Sequence, residues 1–100
     1  MEQRGIAHNT HPGEILKEEI INANHSTVAK TAMLLGVTRL TLSNIISGKS
    51  AITPTMALRI ATVFGGNASL WIRLQTSYDL RKAEREFEKS HVRLEPFSYA

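Results

Sequence analysis

The chain contains no cysteine among its 100 residues, which excludes disulfide bonds, thiolate metal sites and cysteine nucleophiles. No apolar run is long enough to span a membrane. The first 25 residues contain four acidic side chains and lack the apolar core of a signal peptide. We therefore expect a cytoplasmic, single-domain protein with no cofactor and no membrane contact.

Acidic side chains are also missing from the middle of the chain. Residues 26–78 contain five Lys or Arg residues and no Asp or Glu, whereas the segments before and after them have net charges of −2 and zero. A segment without acidic side chains suits a surface that must not repel phosphate groups. The alternative is that the acids are absent by chance, because the chain is short. The pattern favours a nucleic-acid partner.

Capping residues and glycines divide the chain into five predicted helices. The predicted starts are His11-Pro12-Gly13-Glu14, then Ser26 or Thr27, Thr38, Thr53-Pro54, and finally Asn67 or Ser69. Apolar residues at helical spacing predict the buried faces. For the first helix they are Ile15, Leu16, Ile20 and Ala23, and for the second they are Val28, Thr31, Ala32 and Leu35.

The end of the chain departs from this helical pattern. Residues 92–97 alternate apolar and polar side chains with a period of two, which predicts either a short edge strand or a loose tail. We accordingly predict a flexible N-terminal arm over residues 1–10 and a helical domain over residues 11–90. Residues 91–100 form the tail or a short dimerisation strand.

Residues 27–49 predict a helix-turn-helix: two short helices joined by a turn at Gly36. At about 100° per residue, Leu42, Ile45 and Ile46 of the second helix face the core. The opposite face is polar and can bond base edges, Asn with adenine and Arg with guanine. The cations that flank the helix suit phosphates. The expected DNA-binding residues are Lys30, Thr38, Arg39, Leu40, Thr41, Ser43, Asn44, Ser47 and Lys49.

Taken singly, each of these side chains can instead be an ordinary solvated surface residue, because most polar surface residues bind nothing specific. Leu40 is an outward-facing apolar residue that either contacts a thymine methyl group or is incidentally exposed. The prediction depends on the helix spacing, the turn and the missing acids taken together.

Other functional classes have weaker support. His8, His11 and His25, with Glu14 or Glu18, suggest a metal site, but their spacing fits no closed zinc pattern, so surface histidines are the favoured interpretation. We find no catalytic constellation and predict that the protein is not an enzyme. RNA binding is disfavoured because the aromatic residues lie at core spacing instead of on the basic face; these are Phe64, Trp71, Tyr78 and Phe87.

Seven runs of sequence resemble the HigA antitoxins, also called VapI, within the Cro/C1-type (Xre) helix-turn-helix class. They are 11–19 (HPGEILKEE), 35–38 (LGVT), 42–49 (LSNIISGK), 52–54 (ITP), 56–60 (MALRI), 70–75 (LWIRLQ) and 78–80 (YDL). The resemblance implies a five-helix, lambda repressor-like fold with all-α architecture.

The resemblance also implies a dimeric repressor that binds a palindromic operator in its own promoter and neutralises a HigB-type endoribonuclease toxin. A stand-alone or phage-type regulator without a toxin is the alternative. Two residues depart from the family pattern. Thr31 replaces a usual leucine, which either loosens the helix or requires its hydroxyl to bond a carbonyl. Leu40 stands where a polar residue is frequent, so the recognised bases do not carry over.

Two operator half-sites require a two-fold dimer. The apolar stripe of the last helix continues past the core, and the alternating segment can pair with its own copy. The expected dimerisation residues are Leu80, Ala83, Phe87, Val92 and Leu94, with terminal fraying as the alternative. The acidic first helix suits a basic toxin. Its expected toxin-binding residues are Glu14, Glu18 and Glu19.

Overall fold

A computed structural model describes residues 9–99, and this part of the chain is helical. Helix α1 (Pro12–Leu16) continues directly into a π-helical segment, Lys17–Asn22. It is followed by α2 (Val28–Leu35), α3 (Arg39–Ile46), α4 (Pro54–Phe64) and α5 (Ala68–Ser90). The predicted all-α fold with five helices is confirmed. Most of the predicted N-terminal arm, residues 1–8, lies outside the described residues.

Short polar side chains begin these helices where the sequence predicts them. The hydroxyl oxygen of each capping threonine accepts a hydrogen bond from the backbone N–H three residues later, at 3.1 Å for Thr27, 3.0 Å for Thr38 and 3.2 Å for Thr53. Asn67 caps α5 by accepting from the N–H of Ser69 at 2.9 Å. Each cap pairs a backbone donor that the helix itself leaves without a partner.

The buried face of the first helix differs from the prediction by one residue. Leu16 and Ile21 are buried, Ile20 is half-buried and Ala23 is exposed. The cause is the π-helical segment, in which the N–H of Ala23 donates to the carbonyl of Glu18, five residues earlier, at 3.2 Å. The wider turn inserts one residue into the helical period, so Ile21 enters the core in place of the predicted Ala23, while Ile20 packs against the core's edge.

The helices share one hydrophobic core, whose completely buried aliphatic residues are Leu16, Leu35, Leu42, Ile52 and Ile60. Thr31 is also completely buried. Its hydroxyl lies 3.0 Å from the hydroxyl oxygen of Ser26, and this contact replaces the expected bond to a carbonyl. Because the buried hydroxyl has a polar partner, threonine is accommodated at a core position.

The second half of α5 extends away from this core. The described chain measures 56 × 32 × 25 Å and has a radius of gyration of 16.8 Å, against about 13 Å for a compact domain of this length. Phe87 is 54% exposed, so the expectation that it occupies core spacing is wrong for the single chain. No strand forms among residues 9–99, and residues 92–99 are irregular.

None of the helices in the described part of the chain combines the length and apolar character needed to cross a membrane.

Candidate nucleic-acid interface

The turn between α2 and α3 has the conformation that the sequence predicts. Gly36 has φ +72°, a left-handed conformation that favours glycine. The N–H of Val37 donates to the carbonyl of Ala32 at 3.0 Å, which closes the end of α2. Thr38 then caps α3. These local bonds fix the angle at which α3 leaves α2.

Arg59 of α4 binds this turn from the side. Its Nη1 donates to the carbonyl oxygens of Leu35 at 2.8 Å and Gly36 at 3.4 Å. A Cβ atom on Gly36 would lie 2.8 Å from the same nitrogen, so a side chain at this position would displace the guanidinium. Arg59 therefore has a structural role, although the sequence presents it as one more cation of the acid-free segment.

The underside of α3 is the face that the angular analysis predicts. Leu42 and Ile45 are buried, and Ile46 is half-buried. At Ile45 the backbone of α3 packs directly on Gly13 of α1. A Cβ atom on Gly13 would overlap the Ile45 carbonyl oxygen and lie 2.7 Å from the carbonyl carbon. Glycine at position 13 thus sets the distance between α1 and α3, a role that its place in a helix-opening motif does not reveal.

The ring of His11 lies beside Gly48, just past the C-terminal end of α3. It is only 7% exposed, so the interpretation of His11 as a surface histidine is wrong. Its Nδ1 accepts a hydrogen bond from the N–H of Gly13 at 2.8 Å and caps α1. The ring lies edge-on to Tyr78 of α5, with 4.8 Å between ring centroids. Desolvation by burial lowers the pKa of His11 below 6.5, which keeps the ring neutral.

Gln75 of α5 holds the loop that follows α3. It is buried, and its Oε1 accepts from the N–H of Ile52 at 2.8 Å. Its Nε2 donates to Oδ1 of Asp79 at 2.9 Å. This role of Gln75 leaves no local signal in the sequence, because the contact joins residues 23 positions apart. The end of α3 is therefore fixed by α1 and α5 together.

The opposite face of α3 is open to solvent. Of the nine predicted DNA-binding residues, Asn44 is half-buried and the other eight are exposed, Leu40 by 70%. The Thr38 hydroxyl donates to the Thr41 hydroxyl at 2.9 Å, and the Ser47 hydroxyl donates to the carbonyl of Asn44 at 3.2 Å. Within residues 9–99, the side chains of Arg39, Ser43 and Asn44 make no hydrogen bond, so their polar atoms can bind a ligand.

Charge reinforces this arrangement. Lys30 on α2 and Lys49 beyond the end of α3 are both exposed. No carboxylate occurs between residues 26 and 78, so α2, α3 and α4 carry only positive formal charge. A helix with an exposed face of hydrogen-bonding side chains, in a segment with exposed lysines and no carboxylates, suits a DNA major groove.

The remaining predicted sites lie elsewhere on the molecule. Glu14, Glu18 and Glu19 are exposed on α1 and the π-helical segment. The five predicted dimerisation residues are exposed at the far end of α5 and in the tail. Among residues 9–99, no three His, Asp or Glu side chains lie close enough to hold a metal ion. His8, part of the considered metal site, is outside the described residues, and His25 is exposed.

Known proteins share this architecture. Residues 16–71 fit the model of a helix-turn-helix family. Virulence-associated protein I of Dichelobacter nodosus is 35% identical over 82 residues, which cover 82% of this chain and 76% of that protein. The Pseudomonas aeruginosa antitoxin HigA, solved with the higBA promoter, superposes with a TM-score of 0.81 at 30% identity and covers 90% of this chain and 99% of its own.

A third relative is an addiction module antidote protein of the HigA family from Coxiella burnetii. It superposes with a TM-score of 0.73 at 32% identity, over 89% of this chain and 98% of its own. Two of these relatives are named as an antitoxin and an antidote protein. The chain therefore belongs to the Cro/C1-type (Xre) helix-turn-helix family, in the group that contains the HigA and VapI antitoxins.

Proposed function

We propose that this protein is a HigA-type antitoxin that represses its own operon by inserting α3 into the major groove of operator DNA. The observation that carries the proposal is the exposed polar face of α3, which lies with the exposed Lys30 and Lys49 in a segment without carboxylates. The P. aeruginosa relative solved with its promoter supports it. In this proposal Asn44 and Arg39 contact bases, and the two lysines contact phosphates.

A fluorescence anisotropy titration with the upstream promoter fragment tests DNA binding. We expect Asn44→Ala to weaken operator binding by roughly 5- to 150-fold, the range for one lost bidentate base contact, with little change on random DNA. Lys49→Gln is expected to weaken both and to reduce the slope of log K against log salt by about 0.9 for each lost phosphate contact.

Lys17→Gln is the matched control, because Lys17 is exposed on the π-helical segment, outside the acid-free segment that carries the polar face. It removes the same charge and should leave the salt slope unchanged. Promoter binding that is insensitive to salt, or equal losses in all three variants, would contradict a site on α3.

We further propose that the operator is bound by a homodimer joined through the end of α5 and the tail. Leu80, Phe87, Val92 and Leu94 are 57%, 54%, 49% and 72% exposed, a density of apolar side chains that suits contact with a second copy. A chain truncated after Asp79 should then be monomeric in multi-angle light scattering, whereas the full chain should be dimeric. A dimer of the truncated chain would place the interface elsewhere.

The toxin partner is proposed to be a HigB-type endoribonuclease that binds the acidic surface of the first helix. Glu18 and Glu19 are exposed there, while α2 to α4 carry only basic side chains, so a basic protein is attracted to this end of the domain. We expect the double reversal Glu18→Lys, Glu19→Lys to weaken toxin binding in calorimetry. The reversal Glu86→Lys, Glu88→Lys on α5 is the control; once light scattering shows that it has the oligomeric state of the natural chain, it should bind the toxin like the natural chain.

Regulation without a toxin is the alternative function. Co-expression with the neighbouring gene, followed by pull-down and a growth assay, separates the two. Operator binding with no captured neighbour and no rescue of growth would assign the chain to stand-alone regulators.

A further inference from the structure

His11 is a buried titratable group at the junction of three elements. Its Nδ1 accepts a hydrogen bond from the N–H of Gly13, in the first turn of α1. The backbone of Ile45 in α3 packs against this same glycine. The ring of His11 lies edge-on to Tyr78 of α5. A Cβ atom built on Gly48, just beyond α3, would lie 3.7 Å from Cγ of the ring. The imidazole thus fills the space between α1, α5 and the end of the DNA-binding helix.

The bond to Gly13 requires a particular protonation state. An imidazole Nδ1 accepts a hydrogen bond only when it carries no proton, and a protonated ring has two donors and no acceptor. Protonation would therefore break the cap of α1 and place two N–H donors against each other. Because Gly13 and Ile45 are in backbone contact, a displaced start of α1 moves the support of α3.

We propose that His11 is a positioning residue for DNA recognition, whose neutral ring holds α3 in the operator-binding orientation, so that acid weakens operator binding by protonating this ring. The inference rests on the proposed function, namely operator binding through α3. The effect requires no contact between His11 and DNA, and it makes release of the His11 proton part of operator binding.

Burial and the charged groups around the ring both shift the pKa of His11. On α5, Asp79 raises the pKa of His11 and Lys82 lowers it, while Glu14 on α1 and the hydrogen bond with the Ser50 backbone raise it. Desolvation outweighs them and lowers the pKa below 6.5. The ring is thus neutral at pH 7.5, and the protonated fraction grows as the pH falls below 6.5.

The test measures operator affinity of the full chain at constant ionic strength, from pH 7.5 down to the lowest pH at which circular dichroism shows the chain folded. For the natural chain we expect operator affinity to fall as the ring is protonated, by about fivefold once protonation is complete, the factor that corresponds to one lost capping hydrogen bond. His11→Asn retains a side-chain acceptor for the N–H of Gly13 but does not titrate in this range. Its affinity should stay within about twofold of the natural chain at pH 7.5 and remain flat down to that lowest pH.

The exposed histidines provide the control. His25→Gln and His91→Gln each replace an exposed imidazole and should retain the acid-dependent loss. The NMR titration of His11 with and without operator should show a lower pKa in the complex. A higher pKa in the complex, or equal pH dependence in the natural chain and His11→Asn, would overturn the inference. No operator binding at any pH would instead refute the proposed function.

Discussion

The contact between Gly13 and the backbone of Ile45 yields the sharpest prediction, for the substitution Gly13→Ala. The added methyl carbon would lie 2.7 Å from the Ile45 carbonyl carbon, whereas ordinary contacts of this kind span 3.4–4 Å. The two backbones must separate by about 0.7 Å or more, because neither can rotate aside as a side chain would. The substitution thus moves α3 relative to α1 without touching its exposed face.

The free energy of unfolding should fall despite the higher helix propensity of alanine. Overpacking a tight contact costs about 1–3 kcal/mol, while replacing glycine by alanine within a helix gains at most about 1 kcal/mol. We expect a net loss of about 1–2 kcal/mol, or a melting temperature lower by about 4–16 °C for a domain of this size. Operator affinity should also decrease at temperatures where the variant is fully folded.

Gly65→Ala is the matched control. Gly65 has φ +86° and ψ −175°, a conformation that alanine adopts only with strain of about 1–3 kcal/mol, but a Cβ atom there has no neighbour within 4 Å. Both variants should melt lower in calorimetry, and only Gly13→Ala should bind the operator less well when folded. A Gly13→Ala protein with the natural melting temperature and affinity would refute the close contact.

Three further outcomes are expected. Gln75→Leu leaves the buried N–H of Ile52 without its acceptor and should reduce the free energy of unfolding in urea by about 1–3 kcal/mol. Arg59→Met removes the bonds to the turn carbonyls and should cost about 1–2 kcal/mol; Arg73→Met, whose partner is an exposed hydroxyl at 3.4 Å, should cost less. Because the pKa of His11 is lowered, its contribution to stability is complete above pH 6.5 and is lost as the pH falls towards the lowered value. Denaturation of the natural chain should show this loss, and denaturation of His11→Asn should not.

Local interactions made much of the fold predictable. Thr27, Thr38 and Thr53 bond to backbone groups three residues away, so their capping roles follow from neighbouring sequence alone. The exposed and buried faces of α3 are separated by helical period, which requires only that the helix be regular. The helix-turn-helix and its polar surface therefore follow from sequence.

Contacts between distant segments were not predictable in this way. Gly13 faces Ile45, and His11 faces Tyr78, only because the helices cross at those points. His11 is a polar residue beside a proline, which locally resembles a surface turn, and its burial depends on the position of α5. The π-helical segment escapes prediction because a regular period of 3.6 residues was assumed through Ala23.

The widened turn of the first helix determines where the chain tolerates a change in length. Leu16 and Ile21, both in the core, are five positions apart, and the π-helical segment absorbs the extra residue. Deleting one residue between them would leave the two side chains four positions apart, and a regular α-helix carries residues at this spacing on the same face. A deletion within α3 would instead rotate every following side chain by about 100° and turn the polar face away from its ligand. Related chains can thus differ by a residue in the first helix and keep the same core, while the length of α3 is fixed.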